Sequence, residues 1–129
     1  LVVLQTVLMM TVGLHRAQSG INVGFAEDPD LERKIRRHGN LAENAALFLA
    51  ALTVLELVGA ATTVVAGLGL VFVAARLAHA AAFSSLAGSH GRDGRKAFLL
   101  LRGVGAFGTL ATSIGLGGYL LWHLLRLAA

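Results

Sequence analysis

A chain of 129 residues that is 56% hydrophobic, only 14% charged and +4 in net charge lies outside the usual range of soluble domains, in which about a quarter of residues are charged. The absence of cysteine excludes disulfides, thiolate metal sites and a cysteine nucleophile, and no metal site is expected. The positive charge is gathered in two short segments flanking apolar runs, which is how membrane topology is encoded, so the partner it implies is a lipid bilayer and not a nucleic acid.

The first apolar run extends from Leu1 to about Leu14. Its ~14 residues would cover only ~21 Å, short of a bilayer core of ~30 Å. It has neither a basic leader nor a clear cleavage site, so it reads as a clipped first transmembrane helix over about residues 1–16. A polar segment over residues 15–40 follows, carrying Arg16, Arg33, Lys34, Arg36 and Arg37. Within it, Asp28-Pro29-Asp30 is a helix start: the Asp caps exposed N–H groups and Pro suits the first helical position. Helix two therefore begins near residue 30, enters the membrane at about Leu41 and ends near residue 60.

Gly59-Ala60-Ala61-Thr62 forms a tight uncharged hairpin into helix three, expected over about residues 63–86. A second basic loop over residues 87–97 holds Arg92, Arg95 and Lys96, and helix four follows over about residues 98–125. Both basic loops thus share one side, the cytoplasmic side by the positive-inside rule, and both termini lie opposite. The expected architecture is one all-α domain over residues 1–129, a left-handed four-transmembrane-helix bundle.

Helix four carries a ridge of small residues, Gly105, Thr109, Ser113 and Gly117, four apart. Such ridges allow close backbone approach, either within one chain or between copies. Glu56, near the uncharged hairpin, is read as structural, reaching the far interface or accepting a hydrogen bond.

Arg33, Arg36, Asn40 and Glu43 fall on one face of helix two where it enters the bilayer. Polar groups at this depth usually face a bundle interior or a water-filled cavity. Helix three carries Arg76, His79 and Phe83 at similar spacing. Counting from the hairpin near residue 61, Glu43 lies 18 residues back and His79 lies 18 forward, so they share a depth. Glu43 is expected to pair with Arg76, since opposite charges at one depth cost less than either alone.

The stretch from Asp28 to Asn44 resembles the signature of the MAPEG family, membrane-associated proteins of eicosanoid and glutathione metabolism. The resemblance is closest to the microsomal glutathione transferase and prostaglandin E synthase branch, and to a bacterial-type member. Its core, Arg-x-His-x-Asn-x-x-Glu, is carried by Arg36, His38, Asn40 and Glu43, and a second Arg-x-x-His element by Arg76 and His79.

What the resemblance implies is a homotrimer in a bacterial inner membrane that uses glutathione as co-substrate on a small lipophilic substrate. Arg36, Asn40 and Glu43 would contact glutathione, Arg76 and His79 would shape the pocket, and Arg16 matches a basic position that a neighbouring subunit can supply. Arg102 would be the catalytic cation that favours the thiolate, with Arg92 and Arg95 competing for that role. Two positions depart from the pattern. Phe83 stands where some glutathione-using members have Tyr, and Gly39 stands where the prostaglandin branch places Arg, so a prostaglandin-specific role is not expected. The implied activity is a transferase or peroxidase. The alternatives are a non-catalytic member that binds lipid or another small thiol, and a small transporter.

Overall fold

The computed structural model describes residues 1–86 and 96–129. Four helices account for most of them: α1 (Val2–Ser19), α2 (Pro29–Leu57), α3 (Thr62–Ala82) and α4 (Lys96–Ala128). Among the described residues, α2, α3 and α4 are long and apolar enough to cross a membrane. The shorter α1 has 18 residues and ends in a polar turn with His15 and Arg16.

The helix ends follow from local chemistry. Asp28 is the N-cap of α2, and its Oδ1 accepts from the backbone N–H groups of Asp30 and Leu31 at 2.9 and 3.0 Å, with Pro29 at the first helical position. Gly20 ends α1 at φ 71°, a left-handed conformation that glycine adopts at little cost. Gly59 turns the α2–α3 hairpin at φ 82°. The third helix stops at Ala82, earlier than the expected residue 86, because Phe83 takes the C-cap and Arg33 Nη1 donates to its carbonyl at 2.6 Å.

Packing is most extensive between α3 and α4, followed by α1 with α2, while α2 also touches both α3 and α4. A central cluster of Phe48, Leu55, Val65, Phe72 and Leu116 joins α2, α3 and α4. Its Phe48 and Phe72 rings lie parallel, 3.7 Å between centroids. The α3–α4 seam is close enough that a Cβ on Gly105 would lie 2.7 Å from the backbone nitrogen of His79, and one on Gly108 would lie 2.9 Å from Ala75 Cβ. The first half of the small-residue ridge therefore serves packing within the chain. Leu47, Leu57, Leu70 and Phe107 are 71–80% exposed, an apolar surface that suits a membrane protein.

The two ends of the bundle are distinct. At one end, the close of α1, the start of α2, the close of α3 and the start of α4 come together through side-chain contacts of Asp28, Arg33 and Arg102. At the other, His123 Nε2 on α4 donates to the Val58 carbonyl at 3.1 Å, beside the α2–α3 turn. Glu56 is exposed near that turn, with its backbone carbonyl accepting from Gly59.

Candidate functional site

The polar end is organised by a network that spans three helices. His15 Nε2–H donates to Asp28 Oδ2 at 2.8 Å, and Lys34 Nζ donates to His15 Nδ1 at 2.7 Å, which assigns the Nε2–H tautomer. Asp30 accepts from Arg33 Nη2 at 2.6 Å and from Lys34 at 2.8 Å. Arg33 completes the span with its bond to the Phe83 carbonyl. These residues lie before the apolar segment of α2. The Leu31 backbone N–H, and then His15, hold the Asp28 carboxyl below its usual range. Lys34 and Arg33 bring Asp30 down to about 2. Nothing in the sequence pattern flags His15; its role arises from the turn that folds α1 back onto α2.

Beside this network lies an open cavity of about 400 Å³, lined by Arg16, Arg36, Asn40 and Glu43, together with Glu32 and Phe25. Arg16 reaches it from the end of α1 while its Nη1 donates to the Ile21 carbonyl at 3.0 Å, so within one chain it already joins the α2 residues. The Arg36 side chain is 69% exposed and, among the described residues, is held by a 3.8 Å approach to Glu32, leaving its guanidinium open to an anionic ligand. Asn40 Nδ2 donates back to the Arg36 carbonyl at 2.9 Å. Gly39 lines the same cavity, and a Cβ there would stand 3.7 Å from Glu43 Oε1, so the missing side chain leaves space beside the carboxylate.

Arg76 and His79 line a second cavity of about 270 Å³, shared with Asn40, Asn44, Thr109 and Ser113. The expected Glu43–Arg76 pair does not form: among the described residues no ion pair joins them, and Arg76 Nη1 instead donates to Thr109 Oγ1 on α4 at 3.2 Å. The reason is rotation about the α2 axis. At ~100° per residue, Glu43 lies ~60° to one side of Asn40 and Asn44 lies ~40° to the other. Asn44 therefore turns toward Arg76, and Glu43 turns toward Arg36. Position along the helix axis is set by residue count, whereas the neighbour a side chain faces is set by its azimuth. Arg76 is 3% exposed, and among the described residues its Nε has no hydrogen-bond partner.

A third cavity of about 430 Å³ runs into the apolar zone between α2 and α4, along Leu47, Phe48 and Leu116. It meets the first cavity at Glu43 and the second at Asn44 and Ser113. The guanidinium carbon of Arg102 stands 5.0 Å from the Phe83 ring centroid, and that ring stacks on His79 at 5.0 Å. Arg92 and Arg95 lie outside the described residues. Among the described residues no cluster suited to a metal ion is present.

The MAPEG family model matches residues 1–122. No curated protein and no solved structure matches the chain. The chain belongs to the MAPEG family.

Proposed function

With membership of the MAPEG family as the premise, we propose that this protein is a membrane-bound, glutathione-dependent transferase or peroxidase acting on lipophilic electrophiles. The observation that carries the reading is the convergence of Arg16, Arg36, Asn40 and Glu43 on one polar cavity that adjoins an apolar one at Glu43. Glutathione has two carboxylates and one ammonium. Arg36 and Arg16 suit the carboxylates through charge-assisted hydrogen bonds, Glu43 suits the ammonium, and Asn40 orients the peptide amides.

The thiol loses its proton to solvent, and the positive charge of Arg102 favours the thiolate. The sulfur then bonds to the electrophilic carbon as the leaving group departs with its electron pair. The apolar cavity along Leu47, Phe48 and Leu116 would deliver the electrophile from the lipid phase. The homotrimer, supported by the family, and cytoplasmic basic loops, supported by the basic residues at one end of the bundle, belong to the same proposal, as does a bacterial inner membrane.

The test is conjugation of an aryl halide, and reduction of an organic hydroperoxide, by detergent-purified wild type and Glu43→Ala. Thiol-dependent turnover that falls in the variant is expected. Absence of both reactions at millimolar glutathione would reject the enzyme reading, and substrate uptake by proteoliposomes would instead favour transport.

A further inference from the structure

Phe83 makes three contacts with three helices. Its carbonyl accepts from Arg33 of α2, its ring stacks on His79 of α3 at 28° between planes, and the same ring lies 5.0 Å from the guanidinium carbon of Arg102 on α4. The ring is buried, with Phe83 8% exposed. Helix packing sets the register of these contacts. Gly105 presses against His79 without room for a Cβ. Arg102 lies about one turn before Gly105, and Phe83 about one turn after His79, so the close approach carries Arg102 to the ring.

The kind of partner matters as much as the position. Among the described residues, ion pairs engage Arg33, Lys34 and Arg36. Among the described residues, Arg102 meets an aromatic face and no carboxylate. An aromatic face attracts a guanidinium through its quadrupole without cancelling the charge. Arg102 is thereby restrained by a contact that leaves its positive charge in place for an anion.

We propose that Phe83 is the positioning residue for Arg102, holding its guanidinium by the ring face at the polar end of the bundle so that it acts as a cation on the thiol sulfur. The placement of Arg102 stands on contacts within this chain; its consequence for the thiol rests on the proposed function. On this account the phenylalanine does not stand in for a hydroxyl donor. It does a different task that depends on the π face.

The test grades the electronics of the ring while keeping its shape. Phe83 is replaced by mono-, di- and trifluorinated phenylalanines, alongside Phe83→Tyr and Phe83→Leu, in detergent-solubilised full-length protein. The first readout is the NMR resonance of the Arg102 guanidinium, assigned by its disappearance in Arg102→Lys. The second is the pH midpoint of aryl-halide conjugation with glutathione. The ring-induced shift of Arg102 should persist in Phe83→Tyr, shrink stepwise with fluorination and vanish in Phe83→Leu. Conjugation at neutral pH should fall about three- to tenfold across the series as its midpoint moves to higher pH, with KM for glutathione unchanged. An Arg102 resonance indifferent to fluorination and to Phe83→Leu would overturn the proposal, as would an unmoved pH midpoint in an active enzyme. If Phe83→Leu fails to fold, the fluorinated series decides alone. If wild type shows no conjugation, the proposed function fails, and the Arg102 resonance still decides whether Phe83 positions it.

Discussion

The two ends of this bundle solve the same problem with different means. At the far end, a short uncharged turn and one hydrogen bond from His123 to Val58 join the helices. At the polar end, His15, Asp28, Asp30, Arg33 and Lys34 form a charged network against the Phe83 carbonyl. The far end needs only closure. The polar end must also hold Arg16, Arg36, Asn40 and Glu43 around a cavity. Two arginines one turn apart on α2 show the division of labour. The Arg33 side chain is 8% exposed and committed to Asp30 and Phe83, whereas that of Arg36 is 69% exposed and loosely held.

The largest expected effect separates those two arginines. Arg33→Ala leaves the Phe83 carbonyl and Asp30 short of a partner inside the bundle, and should cost about 2–3 kcal/mol of stability in detergent. Arg36→Ala removes only an exposed contact, should cost less than about 0.5 kcal/mol, and should instead weaken thiol binding. Thermal unfolding of both variants checks this; equal losses would erase the distinction.

The α3–α4 seam supplies the next contrast. Gly105→Ala places a methyl group against the His79 backbone and should cost about 1–3 kcal/mol, whereas Gly117→Ala meets nothing within 4 Å and should be silent. A silent Gly105→Ala would show that the seam can open without loss.

At the cap of α2, Asp28→Ala should cost about 1 kcal/mol. The pH dependence follows from the lowered carboxyls. A carboxyl held below its unfolded value contributes stability that is fully present above that value and is lost as pH falls through the folded one. For Asp30 the window runs from 3.8 down to about 2. Stability should thus be flat with respect to Asp30 near neutral pH and decline only in strong acid, and the decline should be smaller in Asp30→Asn. At the far end, His123→Phe should cost about 0.5–1 kcal/mol and leave thiol binding intact.

Much of this layout is legible in the sequence because it depends on local chemistry. Apolar run lengths mark α2, α3 and α4, Asp28-Pro29 marks the start of α2, and Gly59 marks the hairpin. The stripe Arg36–Asn40–Glu43 is legible because helical spacing alone puts it on one face. What the sequence hides is tertiary. Counting from the hairpin brings Glu43 level with His79 and near Arg76, but rotation of α2 turns Asn44 toward Arg76 and Glu43 away from it. His15 is an ordinary polar residue until α1 folds back onto α2. Phe83 reads as a missing hydroxyl until the α3–α4 seam brings Arg102 over its ring.

The central claim is that the Arg36–Asn40–Glu43 cavity binds glutathione, and calorimetric titration of glutathione into detergent-purified wild type, Arg36→Ala and Glu43→Ala tests it most directly. Saturable binding by wild type, weakened about tenfold or more in each variant whose thermal stability is unchanged, is the predicted result. No binding by wild type at millimolar glutathione, or equal binding by all three proteins, would contradict it.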